Sequence, residues 1–409
     1  MRITVQKFGG TSLANYEQRD RVCDIIQKTL ESGSQTVVVV SAMGRKNDPY
    51  ATDTLIQLVR EVNPHPSARE MDLIMTCGEI ISGVVLTAQL NTRGIPARFF
   101  TGEQAGIVTD DQFSDAHIKY INPKNILACL KEGLVPVVAG FQGKSENGEL
   151  TTLGRGGSDT TASALGVALH AEVVEIFTDV EGVMTADPRI VENARLLDDI
   201  TYNEVCQLAR DGAKVIHPRA VEIAMQGGIP LRVRSTFSDS AGTLITHQNH
   251  RQQDAVCIIR DRLITGVTYT SNIAQIKVNI SQLDDKKGME LKIFKTLADN
   301  GISIDFISVQ PELIMFTVLP DDSARTISIL KNLGLDPEVE MNCAKVAVVG
   351  AGMTGIPGVM ARVVEALTDN NIPILQSGDS YTNIWCLVKR EHMEQAVKAL
   401  HDKFELGNS

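Results

Sequence analysis

A lysine, two glycines and two hydroxyl side chains follow the first strand-like segment of this chain. Residues 1–6 have the composition of a β-strand, and residues 7–12 continue as Lys-Phe-Gly-Gly-Thr-Ser. Glycine lets backbone N–H groups approach phosphate oxygens closely, the lysine adds a positive charge, and the hydroxyls donate further hydrogen bonds. The segment therefore predicts an oxyanion site, and the alternative is a strand-to-helix turn capped by Thr11 or Ser12.

A second glycine-rich segment precedes a helix of small residues. Residues 151–161 read Thr-Thr-Leu-Gly-Arg-Gly-Gly-Ser-Asp-Thr-Thr, and residues 162–169 continue as the helix. Free N–H groups at a helix N-terminus bind anions, and the guanidinium of Arg155 can hold a carboxylate through two hydrogen bonds. Asp159 would repel an anion, so we expect it to orient a lysine or help hold a magnesium nucleotide, unless it only caps the helix.

A third polar segment follows a buried strand-like run. Residues 177–189 read Phe-Thr-Asp-Val-Glu-Gly-Val-Met-Thr-Ala-Asp-Pro-Arg, a pattern that suits a nucleotide-binding loop but, in isolation, fits an ordinary polar loop better. The Gly-Lys-Ser at residues 143–145 lacks the first glycine of a P-loop, since Val138 stands there. The motifs of protein kinases are also absent, so phosphoryl transfer would use a different scaffold.

Alternating strand-like and helix-like segments must position these residues. The continuous β-branched run at residues 36–40 is typical of a strand that is covered on both faces, and residues 173–179 are similar. Helical periodicity lies between such runs, for example at residues 17–31, 68–93 and 203–211. The alternation predicts an α/β fold with a mostly parallel central sheet between helices, and ligands bind such sheets at the carboxyl ends of the strands.

The pattern changes after a polar linker at residues 247–254. Residues 288–305 align with residues 358–375, with identities such as Gly288/Gly358, Leu297/Leu367 and Asn300/Asn370, and each copy consists of a helix, an Asx-rich turn and a strand. With the strands before and after, each copy predicts a ferredoxin-like βαββαβ unit. The Gly-x-Gly-x-x-Gly at residues 350–355 belongs to this repeat, and too little chain follows it for a dinucleotide-binding domain.

Composition excludes several classes of protein. The 409 residues carry a formal net charge of −11, which argues against nucleic acid or an anionic membrane surface as a partner. No apolar run reaches the ~20 residues of a membrane span, and the N-terminal residues do not resemble a signal peptide. The seven cysteines are scattered without a C-x-x-C pair, so we expect reduced thiols, no metal site and a cytoplasmic protein.

Five ordered motifs resemble those of the aspartate kinases, which belong to the amino acid kinase family. They are residues 7–12, 39–44, 154–159, 177–183 and 214–219, and the C-terminal repeat resembles the paired ACT regulatory domains of those enzymes. The resemblance implies a catalytic domain at 1–246, a linker at 247–262 and a tandem ACT region at 263–409. In that region, one unit would span about 274–340 and the other 263–270 together with 343–409.

The reaction that this resemblance implies is transfer of the γ-phosphoryl group of MgATP to the side-chain carboxylate of L-aspartate, giving 4-phospho-L-aspartate. This would be the first step of lysine and diaminopimelate, threonine and methionine biosynthesis. A carboxylate is already ionised at neutral pH, so no general base is needed. The difficulty is to bring anions together, which requires lysines and backbone N–H groups, with Mg²⁺ held mainly by the nucleotide.

The resemblance also implies residue roles. Lys7 would be the catalytic cation, oriented by Asp159, and Thr54 is an alternative to Thr52 because residues 45–50 lengthen the loop before it. The implied ATP-binding residues are Lys7, Phe8, Gly9, Gly10, Ser12, Ser41, Thr178, Asp179, Met184, Thr185, Ala186, Asp187, Pro188, Arg189 and Lys214. The implied aspartate-binding residues are Thr52, Glu79, Arg155, Gly156, Gly157 and Ser158.

Regulation is the last implication of the resemblance. We expect feedback inhibition by lysine, threonine or diaminopimelate, with diaminopimelate favoured, and a homodimer or higher homo-oligomer formed through the ACT domains. Another amino acid kinase, acting on glutamate, acetylglutamate or carbamate, and a non-catalytic amino-acid sensor are the alternatives. The candidate effector contacts are Lys287, Gly288, Met289, Asp305, Ile307 and Gln310.

Overall fold

The computed structural model describes residues 2–213, 215–247, 263–281, 288–353 and 356–407. These residues form two compact units. The first unit takes residues 2–183 and 196–210 and the described residues from 215 to 247. The second unit takes Met184–Arg195, Asp211–Ala213 and the described residues from 263 onward.

The first unit contains twelve strands and eight α-helices among its described residues. Its strands are β1 Ile3–Phe8, β2 Gln35–Val40, β3 Ala97–Phe100, β4 Ile107–Thr109, β5 Ile118–Ile121, β6 Val135–Ala139, β7 Gln142–Ser145, β8 Leu150–Thr152, β9 Val173–Thr178, β10 Asp199–Thr201, β11 Leu231–Ser235 and β12 Thr243–Thr246. Its helices are α1 Gly10–Leu13, α2 Tyr16–Glu31, α3 Thr52–Val62, α4 Ala68–Thr92, α5 Lys124–Lys131, α6 Gly157–Ala168, α7 Tyr202–Arg210 and α8 Pro218–Gly227.

Eight of these strands form the central sheet, in the order β10-β12-β11-β9-β1-β2-β6-β3. Every pair is parallel except β11 with β12. The predicted mostly parallel sheet is therefore confirmed. A smaller sheet follows the order β5-β4-β7-β8.

Helices cover both faces of β1, which lies in the middle of the central sheet. Phe8 packs with Val38 and Val40 in the hydrophobic cluster that α2 and α4 cover. Because successive side chains on a strand point to opposite faces, Lys7 lies on the other face, where α6 packs on β1. The alternation of a single strand thus places Phe8 in the core and Lys7 beside the first turn of α6.

The second unit contains a six-stranded antiparallel sheet in the order β14-β15-β13-β16-β18-β17. This unit contains two 3₁₀ helices of three residues each, Ala351–Met353 and Arg390–His392. The strands are β13 Gly266–Asn279, β14 Asp305–Val309, β15 Leu313–Val318, β16 Pro337–Val349, β17 Gln376–Asp379 and β18 Asn383–Lys389. The helices are α9 Met289–Asp299, α10 Pro320–Asn332, α11 Val359–Asp369 and α12 Met393–Lys403.

Two long strands, β13 and β16, are shared by the two copies of the repeat. Their pairing is irregular after Ser271, and Asn272 and Asn342 adopt left-handed backbone angles, with φ of 60° and 56°. Such bulges bend and twist a strand, so each half of β13 and β16 serves a different hydrophobic cluster. The two predicted βαββαβ units are confirmed, and they form one continuous sheet.

Helix α4 is the one helix among the described residues that is long and apolar enough to cross a membrane. It packs against β3, β6 and β8 and buries the polar side chains of Asp72, Glu79 and Gln89. These contacts are those of a core helix in the first unit.

Substitution at Gly166 tests the packing that holds α6 against the sheet. A Cβ atom at this position would lie 2.3 Å from Cγ2 of Val174. We expect Gly166→Leu to lower the free energy of unfolding by roughly 1–3 kcal/mol, because overpacking forces a shift of α6 or β9. Ala168→Leu, at a half-buried position of the same helix, is the control in urea unfolding. Equal unfolding midpoints for the two variants would contradict this packing.

Candidate active site

An ion pair joins the end of β1 to the first turn of α6. Nζ of Lys7 lies 2.6 Å from Oδ1 of Asp159, and the two side chains are only 12% and 13% exposed. Helix α6 begins after Gly156, whose φ of 69° is left-handed, and no side chain caps it. The helix N-terminus therefore adds its positive dipole to the charge of Lys7, which makes this end of the sheet suitable for phosphate oxygens.

Gly10 must be a glycine because the neighbouring backbone approaches it closely. A Cβ atom there would lie 2.6 Å from the carbonyl oxygen of Ala42 and 2.8 Å from that of Gly44. The N–H of Gly44 also donates to the carbonyl of Gly10 at 3.1 Å. These contacts draw the loop after β2 against the loop after β1, at the carboxyl ends of two adjacent parallel strands.

A cavity of about 690 Å³ opens at this edge of the sheet. Its lining includes ten of the residues that the sequence predicted for catalysis and for binding ATP and aspartate, among them every predicted aspartate-binding residue. Thr54, the alternative to Thr52, does not line the cavity. The ten residues are Lys7, Gly10, Ser41, Thr52, Glu79, Arg155, Gly156, Gly157, Ser158 and Asp159.

Three predicted residues of the first motif do not line this cavity. The ring of Phe8 is fully buried and stacks on Phe177, with ring centroids 4.8 Å apart. The N–H of Gly9 donates to the carbonyl of Phe177 at 3.2 Å. The hydroxyl of Ser12 is buried and lies 2.7 Å from that of Thr236. These groups hold the loop in shape, and direct contact of Phe8, Gly9 or Ser12 with ATP stays a prediction.

Glu79 is a buried carboxyl group in the wall of the cavity. Its side chain is 3% exposed, and the N–H of Ala42 donates to Oε1 at 3.1 Å. Its other oxygen, Oε2, is buried and accepts no hydrogen bond from the residues that the structure describes. Burial raises the pKa of Glu79 to about 8, because the ionised form loses its hydration. A cationic ligand would satisfy the free oxygen and favour the ionised form.

The loop that lengthens the chain after β2 supplies cations that the sequence analysis missed. Arg45 and Lys46 of this loop line the cavity, as does Arg60 on α3, and Nη2 of Arg45 lies 2.6 Å from Oδ2 of Asp179. The only sequence signal was the insertion at residues 45–50, which indicates a longer loop but not its direction. The ion pair links this loop to the predicted ATP residue Asp179, and Thr178 also contacts Asp179 at 3.2 Å.

The remaining predicted ATP residues fall outside the first unit or outside the described residues. Met184, Thr185, Ala186, Asp187, Pro188 and Arg189 belong to the second unit. In that segment Arg189 donates to both carboxylate oxygens of Asp187, which lowers the pKa of Asp187. Lys214 lies outside the described residues. Their contacts with ATP stay predictions.

The predicted effector residues lie in the first copy of the βαββαβ repeat. Gly288 and Met289 are at the start of α9, while Lys287 is outside the described residues. Asp305 and Ile307 are on the edge strand β14, and Gln310 follows it. Nζ of Lys345 lies 3.3 Å from Oδ2 of Asp305. The binding of an effector there stays a prediction.

Two family models match the chain. The model of the amino acid kinase family matches residues 2–235, and a model of the ACT domain matches residues 338–402. These matches agree with the α/β unit that carries the cavity and with the second copy of the βαββαβ repeat.

Curated relatives and solved structures agree with these matches. The chain is 49% identical to aspartokinase 1 of Bacillus subtilis over 409 residues, which cover all of both proteins. It is 39% identical to an aspartokinase of Geobacillus stearothermophilus, with 100% of this chain and 98% of that one covered. Aspartokinase III of E. coli, solved with aspartate and ADP, superposes with a TM-score of 0.79 at 28% identity and covers 98% of this chain and 99% of its own.

The same E. coli enzyme solved with lysine and aspartate superposes with a TM-score of 0.77 at 28% identity, covering 98% of this chain and 99% of its own. Full-length similarity to aspartokinases separates this chain from the other amino acid kinases and from a non-catalytic sensor, and an ACT domain fits allosteric regulation. The chain belongs to the amino acid kinase family and, within that family, to the aspartokinases.

Proposed function

We propose that the cavity around Lys7 and Asp159 is the place where this aspartokinase transfers the γ-phosphoryl group of ATP to L-aspartate. One observation carries the proposal: the Lys7–Asp159 ion pair lies in the same cavity as Arg155 and Glu79. A guanidinium, a buried carboxyl group and a lysine at a helix N-terminus are the charges that an amino acid and a polyphosphate require.

Each end of aspartate has a partner of opposite charge in this cavity. Arg155 would hold the α-carboxylate through two hydrogen bonds, and Oε2 of Glu79 would accept one from the α-ammonium group. Thr52 would complete the pocket, together with the backbone of residues 156–158. The side-chain carboxylate would then face Lys7, where it attacks the phosphorus atom without a general base because it is already ionised.

Lys7 and the N-terminus of α6 would stabilise the negative charge on the transferring phosphoryl group. Asp159 would hold Lys7 in position through the ion pair. Gly10 and Ser41 line the same cavity and would contact phosphate oxygens. Thr178, Asp179, residues 184–189 and Lys214 would bind the rest of the nucleotide.

Mg²⁺ would be held mainly by the phosphate oxygens of ATP. The structure has no group of three or more His, Cys, Asp or Glu side chains placed to hold a metal ion in the part of the chain that it describes. Asp159 and Asp179 are the nearby carboxylates that fit a magnesium nucleotide, directly or through water. When bound, the ion would neutralise charge on the β- and γ-phosphates.

We also propose the molecular context of this reaction. The domain limits would be 1–246 for catalysis, 247–262 for the linker and 263–409 for the ACT region, with units at 274–340 and at 263–270 with 343–409. The protein would be cytoplasmic. It would form a homodimer or higher oligomer through the six-stranded sheet of the second unit, β13 to β18, which we call the ACT sheet. The edge strand β14 supports this because Ile307 and Val309 are about half exposed. Diaminopimelate, lysine or threonine would inhibit it.

Loss of the central ion pair tests the proposed catalytic role. We expect Lys7→Ala to lower kcat by roughly 10²–10³-fold, because a charge that stabilises the transition state is removed. Asp159→Asn should lower kcat less, since Lys7 keeps its charge but loses its orientation. The measurement is trapping of the acyl phosphate with hydroxylamine at saturating ATP and aspartate.

Lys28→Ala is the control for these variants, because Lys28 is an exposed lysine on α2. It should retain the full activity of the parent protein. Circular dichroism melting curves show whether each variant is folded. A folded Lys7→Ala protein with full activity would refute the proposed role.

The raised pKa of Glu79 predicts a pH dependence for aspartate binding. With a pKa of about 8, Glu79 is mostly protonated in the free enzyme at pH 7, so kcat/KM for aspartate should rise as the pH passes through this value. Glu79→Gln should lower kcat/KM for aspartate by about 10–100-fold and remove this rise, because the amide cannot ionise. The kcat/KM for ATP at saturating aspartate is the internal control. An unchanged pH profile in Glu79→Gln would rule out the assignment.

An inhibition panel tests the proposed effectors. We expect at least one of lysine, threonine and diaminopimelate to inhibit at fixed ATP and aspartate. We expect Asp305→Ala to raise the half-inhibitory concentration about tenfold, because it removes a charged contact from the amino acid. Asp336→Ala, at an exposed position near the start of β16, is the control and should leave inhibition unchanged. Equal inhibition of both variants would place the effector elsewhere.

A further inference from the structure

Thr185 lies in the segment proposed to bind ATP, yet its polar groups are engaged inside the second unit. Its side chain is 1% exposed, and its hydroxyl lies 3.0 Å from Nε2 of His401 on α12. The backbone N–H of Arg195 donates to the same hydroxyl at 3.1 Å. The N–H of Thr185 donates to the carbonyl of Arg195 at 3.0 Å, and its carbonyl accepts from the N–H of Val267 at 2.8 Å. The residue is built into the protein interior.

Asp187 is held in a similar way from the ACT sheet. The hydroxyl of Tyr269 on β13 donates to Oδ2 of Asp187 at 3.0 Å. The guanidinium of Arg189 donates to both carboxylate oxygens, at 3.0 and 2.7 Å. The carboxylate is therefore saturated with donors, and the exposed part of this segment consists of Pro188 and the largely solvent-exposed Arg189.

His401 is a fully buried side chain on α12, and the proposed catalytic steps do not use it. It is 0% exposed, and its Nδ1 makes no hydrogen bond with the described residues. Its nearest carboxylate oxygen is Oδ1 of Asp402, 4.0 Å from Nδ1. Among the residues that the structure describes, the hydrogen bond with Thr185 is thus the one specific polar contact of the imidazole. Burying a polar ring costs free energy, and this hydrogen bond offsets part of that cost.

A second contact fixes the chain just before Lys214. Asp211 is 2% exposed, and its carboxylate lies 2.9 Å from Nζ of Lys345 and accepts from Nδ2 of Asn383 at 2.8 Å. Its carbonyl accepts hydrogen bonds from the hydroxyl of Thr270 at 3.0 Å and that of Thr268 at 3.3 Å. Residues 184–189 and the chain just before Lys214 are therefore both attached to the central strands β13 and β16 of the six-stranded sheet.

We propose that His401 and Tyr269 are positioning residues for ATP, which hold residues 184–189 in the binding conformation through Thr185 and Asp187. Thr185 then affects nucleotide binding indirectly, and the exposed residues Pro188 and Arg189 contact the nucleotide. The inference rests on the proposed role of residues 184–189 in ATP binding. It gives the ACT sheet a part in nucleotide affinity even when no effector is bound.

Substitutions at His401 and Tyr269 test this inference in the full-length enzyme. We expect His401→Leu, which keeps much of the volume but not the hydrogen bond, to raise KM for ATP about tenfold. His401→Gln, whose amide reaches the place of Nε2, should restore most of the affinity. Tyr269→Phe should raise KM for ATP as well, with KM for aspartate unchanged in all three variants. Lys398→Ala, on the exposed face of α12, is the control.

A double-mutant cycle with Thr185→Val measures the coupling. If the hydroxyl acts through His401, the His401→Leu and Thr185→Val effects on KM for ATP should not add, because each variant removes the same hydrogen bond. Full additivity, or equal changes in kcat and in both KM values, would mean a general structural role and would overturn the inference. If His401→Leu fails to fold, the KM values for ATP of Tyr269→Phe and Thr185→Val decide whether the inference holds.

Arg189→Ala separates failure of this inference from failure of the proposed nucleotide role. If Arg189→Ala weakens ATP binding and the folded His401→Leu and Tyr269→Phe variants do not, the segment binds ATP but these residues do not position it. If all three variants keep the parent KM for ATP, the proposed role of residues 184–189 is itself wrong.

Discussion

The ion pair between Lys7 and Asp159 is the interaction on which the rest of the site depends. A lysine on a strand covered by helices on both faces needs a partner, because an unpaired charge that is largely removed from water is costly. Asp159 supplies that partner from the first turn of α6, at 2.6 Å. Asp159 balances the charge of Lys7 and holds its ammonium group beside the N-terminus of α6.

Glycine residues allow the close approaches between elements that assemble this site. Gly10 lies where the carbonyls of Ala42 and Gly44 leave no room for a side chain, and Gly166 lets α6 lie close to β9. These approaches bring the loops after β1 and β2 and the start of α6 to one edge of the sheet. Glu79 then adds a buried carboxyl group to the cavity wall, and burial raises its pKa to about 8.

Much of the fold and of this cavity could be predicted from the sequence. Strand and helix periodicity indicated the parallel sheet, and the internal match between residues 288–305 and 358–375 indicated the paired βαββαβ units. The cavity lining was predictable because its residues come from short motifs at strand ends. The Arg45–Asp179 ion pair was not predictable, because the path of an inserted loop depends on contacts with a segment far away in the chain.

The sequence by itself determined which residue types follow which strands, and therefore the chemistry available: a lysine with glycines, an arginine beside a helix start, and acidic partners. Only the tertiary structure decided which of those groups are available to a ligand and which are engaged in internal hydrogen bonds. Ser12 and Thr185 have the side chains of phosphate ligands, yet both hydroxyls are buried and bonded, to Thr236 and to His401. A hydroxyl has the same sequence signature whether it faces a ligand or the core, and the difference lies in long-range packing, which no local pattern contains.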